Sequence, residues 1–476
     1  MSEATPRGFG LACIALLALC GCTTASASTG DKDARWISLF NGKDLAGWSS
    51  KGGAAPYEVR DGVIVGTAVP NSPNSFLVSN LEFDDFVLEL EIKVEGSLNS
   101  GIMFRAASTP DYLAGKVHGY QMEADGSDRR WSGGIFEEAM RGWLYPVTRN
   151  EPCSMADRRG EWNAYRIEAI GNRLQTFVNG IPCARLVDQG RTSGFIGLQV
   201  HGVGGNPDLG KPGDTASWRN IRIRKASDGA RLTPLAASVL EINTRPNELT
   251  DWEKAQGFSL LWDGKTMDGW RGTKSAEFPT EGWQVAEGMI SAIPIAADQP
   301  GPPEDVLTDR KFSDFELELE FRFAEGANSG VKYFLDQDLL AREGKPIGLE
   351  FQILDDERHP DANKGVAGKR RLASLYDLIR ADNLSEANRN EKRANPAGEW
   401  NHLRIVSQGG KVEHWLNHVK VVEYDRLSQE FAALVEYSKY QGIPNFGRHE
   451  SGPVLLQHHG GGVDFRSIKI RELSGN

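Results

Sequence analysis

The sequence predicts an all-β chain built as two tandem jelly-roll-like β-sandwiches joined by a short, partly helical linker. Three observations predict it. An ordered set of segments occurs twice. The longest of these segments alternate apolar and charged residues with the period of a half-buried strand. The strands so marked are separated by Gly, Asn and Pro turns without regular βαβ spacing, which favours two packed antiparallel sheets over a parallel one. A propeller would need four or more smaller repeats. A length of 476 residues suits two β-rich domains of roughly 200 residues each. With 39% hydrophobic and 25% charged residues the chain is too apolar to be disordered, and its 53 Gly, 12 Trp and 20 Phe fit many turns and aromatic packing.

The repeat opens with WISLFNGKDLAGW at 36 to 48, which returns as FSLLWDGKTMDGW at 258 to 270. FVLELEIKVEGSLNSGIMFR (86 to 105) then matches FELELEFRFAEGANSGVKYF (315 to 334). GYQMEAD (119 to 125) matches GLEFQIL (348 to 354), and GEWNAYRI (160 to 167) matches GEWNHLRI (398 to 405). GFIGLQVHG (194 to 202) and GPVLLQHHG (452 to 460), each followed by a basic strand, close the two copies. Repetition at this scale is a duplicated domain, giving domains at 36–226 and 258–473 around a linker at 227–257. The offset between copies grows from 222 at Asn41/Asp263 to 229 at Asn99/Asn328, 238 at Gly160/Gly398 and 258 at Gln199/Gln457, so the second copy has the longer loops.

Each element follows from its residues. In 315 to 323, Phe315, Leu317, Leu319, Phe321 and Phe323 alternate with Glu316, Glu318, Glu320 and Arg322, and Phe86 to Val94 alternates likewise. Asn179-Gly180 between two strands signals a type I′ hairpin, and its counterpart Asn417-His418 keeps the Asn that tolerates positive φ. The stretch 225 to 257 lacks alternation and contains Pro234 and Pro246, as a connector does. Within it Thr250 and Glu253 form a capping box and Gly257 a stop, which predicts a short helix leading into the second domain.

The N-terminal run GFGLACIALLALCGC after Arg7 is too short to span a bilayer, which takes about 20 helical residues, and suits a signal-peptide core. It predicts an exported chain with a leader at 1–28. Leu19-Cys20-Gly21-Cys22 fits a bacterial lipobox with Cys22 lipidated, while Ala25-Ser26-Ala27 fits an ordinary signal peptidase site; the first reading places the protein in the periplasm or on the outer membrane as a lipoprotein. Membrane contact is then expected only through that lipid anchor. Outside this segment remain Cys153 and Cys183, which an oxidising compartment lets pair or leaves as two buried thiols. With 54 Lys+Arg against 65 Asp+Glu the net charge is −11, which argues against a nucleic-acid partner.

Candidate chemistry concentrates in corresponding places. The segment 119 to 146 gathers carboxylates, arginines and indoles around glycines, a composition suited to sugars: Gln121, Glu123, Trp131, Glu137, Arg141 and Trp143 are its candidates. A solvated loop whose indoles roof the core is the competing reading. Arg105 ends an apolar strand, where it is either a solvated strand end or, where that end faces this loop, an anion or carbonyl clamp. In the second copy Glu350 and Gln352 are two apart and share a strand face. The turn Asp355, Asp356, Glu357 to His359 leaves a divalent cation open, without defined Ca²⁺ loop spacing; no cofactor is otherwise required. Gln199-x-His201-Gly recurs as Gln457-x-His459-Gly, with His458 expected on the opposite face. No Gly-x-Ser-x-Gly elbow, His-Glu-x-x-His site or Walker loop is present.

Taken together these segments resemble the 3-keto-disaccharide hydrolase domain family in tandem, over about 36 to 226 and 258 to 473. The marks are the opening F-x-G-K-x-x-x-G-W, Asn-Ser-Gly, GEWN, the Asn turn and the closing Gln-x-His-Gly. The resemblance implies a concanavalin A-like sandwich and an activity on sugars oxidised at C3, with a sugar 3-dehydrogenase acting upstream. A C3 ketone acidifies the C2 proton, so a base can remove it, expel the C1 substituent and let water add back. For the second copy it implies Glu350 or His459 as base, with Gln352 and Lys332 near the enolate oxygen and Asp355 and Gln457 around the ligand. For the first copy it implies Glu123 or Glu137 as base, Arg105 as clamp and His201 as proton donor, with Gln199 beside them. Two departures set the copies apart: Gln121 and Glu123 reverse the order of Glu350 and Gln352, and His458 stands where the family's second branch has Asp. The rival reading is a carbohydrate-binding surface protein without catalysis.

Overall fold

The computed structural model describes residue 1 and residues 35–295, 302–385 and 392–474; the leader and Cys22 lie outside the described residues. In the first copy the strand Phe86–Val94 sits at the centre of a nine-stranded sheet between Asn163–Ile170 and Thr215–Lys225. Alternation sets its faces: Phe86, Leu88, Leu90 and Ile92 enter the core, while Glu89 and Glu91 turn outward to Arg166, Arg222 and Arg219. A seven-stranded sheet packs over it, ordered with Asn99–Ala107 between His118–Asp125 and Gly194–Val200.

The second copy repeats the plan with an eight-stranded and a five-stranded sheet. Phe315, Leu317, Leu319, Phe321 and Phe323 are core residues, and the intervening Glu316 and Glu320 meet Arg404, Arg471 and Arg466 on the other face. Both copies are therefore jelly-roll-type sandwiches. Asn179 and Gly180 adopt φ of 49° and 79°, and Asn417 and His418 adopt 47° and 65°, the two left-handed residues of a type I′ turn. The recurring GEWN asparagine explains why Asn persists in the turn. Asn179 Nδ2 donates to Asn163 Oδ1 at 2.7 Å, and Asn417 Nδ2 donates to Asn401 Oδ1 at 2.9 Å.

The linker is more ordered than its composition predicts. Ile242–Asn243 adds a two-residue parallel strand beside Leu186 and Val187, because the backbone of Ile181–Val187 would otherwise present a bare edge. Asp251–Ala255 is helical, with the Thr250/Glu253 capping box formed. Glu253 also receives Asn243 Nδ2 and Lys469 Nζ, so this one carboxylate ties the linker strand to the second copy. Across the junction Thr148 Oγ1 donates to the His418 carbonyl at 2.6 Å, and Arg149 lies 3.6 Å from Glu316 and 3.9 Å from Glu318. Cys153 and Cys183 form a disulfide, which resolves the alternatives left by the sequence.

Candidate active site

In the second copy the five-stranded sheet builds the site. Asn328–Tyr333 pairs antiparallel with Leu349–Leu354, with Gly330 opposite Gln352 and Lys332 opposite Glu350. Residues two apart share a face, so Asn328, Gly330, Lys332, Glu350 and Gln352 rise from one side of the sheet. Gly330 makes room for the acid: a Cβ there would stand 2.4 Å from Glu350 Oε1. The neighbouring chain brings Gln457 and His459. It is fixed by the Gln457 N–H, which donates to the Gly330 carbonyl at 2.9 Å, and by Ser329 Oγ, which donates to the Gln457 carbonyl at 2.7 Å.

These side chains line a small cleft, open to solvent, whose wall is completed by Tyr376, Lys439 and Tyr440. Lys439 and Tyr440 arrive on the stretch in which the second copy is the longer, and sequence periodicity gave no sign of them. The Lys439 ammonium lies 4.1 Å from the Tyr376 ring centroid and 5.0 Å from that of Tyr440. Burial holds the Lys439 pKa below the usual lysine value; the Lys332 charge acts in the same direction and Glu350 opposes it. Burial pushes the Tyr376 phenol up to about 12, leaving it a hydrogen-bond donor at neutral pH. Glu350 and Lys332 are 5% and 7% exposed. Oriented to satisfy both its ends, the Gln352 amide donates to Glu350 Oε1 at 3.1 Å. Lys332 Nζ has one weak contact, donating to the Pro346 carbonyl at 3.3 Å, and no ion pair among the described residues. His458 faces the other way: its Nε2 donates to the Gly282 and Ile293 carbonyls, its Nδ1 accepts from the Gly460 N–H, and its ring meets Trp283 edge-on.

The first copy places the same strands differently. Gly101 lies opposite Glu123 and Met103 opposite Gln121. Glu123 thus occupies the place of Gln352, Gln121 that of Glu350, and Met103 that of Lys332. Glu123 is closed in, receiving hydrogen bonds from Arg129, Asn99 and Gln121. Its pKa is pushed up to about 7, burial outweighing the pull of Arg129. Arg129 also binds Asp125, and its guanidinium stacks on Trp131 and Trp143 at 4.9 and 5.0 Å. His201 donates from Nδ1 to the Gly202 carbonyl, and burial lowers its pKa. The buried Gln199 amide has no partner among the described residues.

Several expected residues are placed elsewhere. Arg105 is not a clamp toward the Glu-rich loop. A β-bulge between Phe104 and Ala107 gives it a φ of 47° and turns it inward, where it donates to the Asp84 and Gly171 carbonyls and the Asp85 carboxylate. Glu137 pairs across strands with Tyr120 and so lies on the face opposite Glu123; it is bound to Arg141, which also binds Asp188. Neither Glu137 nor Arg141 reaches the polar floor. Trp131 is 2% exposed, carries the guanidinium groups of Arg129 and Arg393 and meets Trp143 edge-on, so it roofs the site rather than offering a free platform. Asp355 closes a turn by accepting the N–H groups of Gly326, Glu357 and Arg358, and Asp356 is held by Lys392. Among the described residues no group of three or more His, Cys, Asp or Glu is placed to hold a metal ion.

A model of the 3-keto-alpha-glucoside-1,2-lyase-like domain matches residues 35–224 and again 257–471. A Bacteroides thetaiotaomicron protein named 3-keto-disaccharide hydrolase is 32% identical over 240 residues, covering 46% of this chain and 79% of that one. Among solved structures, a candidate glycosyl hydrolase from Parabacteroides distasonis is 26% identical, covering 48% of this chain and all of that one, with a TM-score of 0.41. A second one from the same organism is 24% identical over 43% of this chain and 99% of that one, with a TM-score of 0.32. The chain belongs to the 3-keto-alpha-glucoside-1,2-lyase-like domain family, and it carries that domain twice.

Proposed function

We propose that the chain is an exported hydrolase that cleaves 3-keto-glycosides, and that the chemistry takes place in the cleft of the second copy. One observation carries this reading: Glu350, the only carboxylate among the residues lining that cleft, shares it with His459, Gln352 and two lysines. Glu350 removes the proton at C2, which the ketone at C3 acidifies. Lys332 and Gln352 receive the charge that develops toward C3, and His459 protonates the oxygen leaving C1. Water then adds at C1 and a proton returns to C2, so that glycoside and water give 3-keto sugar and free alcohol. In the first copy the acid is locked by Arg129 and the lysine is replaced by Met103; that copy binds carbohydrate without turning it over, and the unpartnered Gln199 amide supports this.

Export through the apolar leader, with Cys22 as lipid anchor in the periplasm or outer membrane, is supported by the Cys153–Cys183 disulfide. The substrate must be supplied by a dehydrogenase that oxidises a sugar hydroxyl at C3. The test is to incubate the purified chain with p-nitrophenyl glucoside and with its 3-keto derivative: nitrophenolate is released from the keto form alone. Binding without release from either compound marks a lectin-like protein instead. Gly330→Ala, which pushes a methyl group into Glu350, lowers that release at least tenfold while the melting temperature stays close to that of the unaltered protein; an unchanged rate separates Glu350 from the chemistry.

A further inference from the structure

The lysine pair of the second copy goes beyond charge stabilisation. Lys332 is buried on a rigid strand, has no ion pair among the described residues, and lies directly across the strand pair from Glu350, the base for the adjacent carbon. Lys439 lines the same cleft, against two tyrosines. A primary amine beside a second cation in a partly desolvated pocket is the arrangement that makes imines from ketones. The ligand expected here, given the reading above on which this inference rests, is a ketone.

We infer that Lys332 forms a Schiff base with the C3 carbonyl of the substrate, with Lys439 as the acid that assists loss of water. The atoms balance without any further reactant. The Lys332 nitrogen bonds to C3, and the carbonyl oxygen leaves as water with two of the ammonium protons, relayed by Glu350 and Lys439. The resulting iminium withdraws electrons from C2 more strongly than the ketone does. Glu350 takes the C2 proton to give an enamine, and the enamine expels the C1 oxygen, which leaves as an alcohol with a proton from His459. Water adds at C1, a proton returns to C2, and hydrolysis of the iminium restores Lys332 and releases the 3-keto sugar. No oxidant or reductant is involved. A lowered Lys439 pKa suits its part, since a weaker base is the better proton donor near neutrality.

The full-length chain is incubated with p-nitrophenyl 3-keto-glucoside and sodium cyanoborohydride at neutral pH, with nitrophenolate release and protein mass followed together. Progressive inactivation is expected, with one reduced sugar adduct on the peptide containing Lys332, dependent on both reagents and absent with the unoxidised glucoside. Lys332→Arg, which keeps the charge but cannot form an imine, shows no adduct and loses turnover roughly a thousandfold, with its melting temperature retained. Turnover in the unaltered chain without any adduct overturns the Schiff base and leaves the proposed function standing. An adduct on Lys439 or another lysine overturns the assignment to Lys332. Substantial turnover by Lys332→Arg overturns covalent catalysis, and absence of release from the unaltered chain overturns both readings.

Discussion

Glu350→Gln lowers aglycone release from a 3-keto-glucoside by roughly 10²- to 10⁴-fold, the usual contribution of a positioned general base, whereas Glu123→Gln leaves it within a few-fold. The contrast follows from position. Glu350 faces an open cleft whose other polar groups include Lys332, Lys439, Gln352, Gln457 and His459. Glu123, two residues further along the equivalent strand, already has its oxygens occupied by Arg129, Asn99 and Gln121. The loss at Glu350 should fall on kcat rather than KM, because proton abstraction is made only in the transition state. Initial rates over a substrate series, with thermal melting as a control for folding, decide the matter. Equal losses from the two substitutions would contradict a catalytic difference between the copies.

Replacing Cys153 and Cys183 together by Ala destabilises the first sandwich by about 3 to 4 kcal/mol on the chain-entropy argument. The bond closes a loop with a sequence separation of 30 residues. It also lies under the turn that carries Arg129 and Trp131: a Cβ on Gly133 would stand 2.6 Å from Cys183 Sγ, so the turn is packed directly on the bond. Urea unfolding of the variant, or of the unaltered chain with dithiothreitol, should show an earlier transition in that half. Aglycone release at 25 °C persists, because the cleft of the second copy contains neither cysteine. An unchanged midpoint would show that the bond contributes nothing beyond the packing around it.

What the sequence disclosed follows from which features are periodic. Alternation in 86 to 94 and 315 to 323 reports burial directly, and a spacing of two puts Glu350 and Gln352 on one face whatever the sheets do around them. The Asn turns were legible because few residues adopt positive φ without cost. Arg105 was misplaced because a bulge shifts the face without changing composition. Glu137 was misplaced because the pairing that turns it away from Glu123 depends on a hairpin register that no single strand encodes. Lys439, Tyr440 and Tyr376 were missed because they enter on loops of irregular path. The growing offset between the copies marked where extra chain lay, but not where it went. Pairing of Cys153 with Cys183 required two distant segments to be adjacent, which only coordinates show.

The seam between the halves carries an evolutionary consequence. Glu253 belongs to neither sandwich, yet it neutralises Lys469 of the second, and Arg149 of the first approaches Glu316 and Glu318 of the second. A shortened gene encoding only the later copy would lose the Glu253 and Arg149 contacts in one step, leaving Lys469 to Glu318 alone and Glu316 to Arg404 and Arg471. Recombination, which readily deletes tandem repeats, would here remove several cross-seam contacts at once, so loss of the earlier copy is not a neutral trimming for the one that remains.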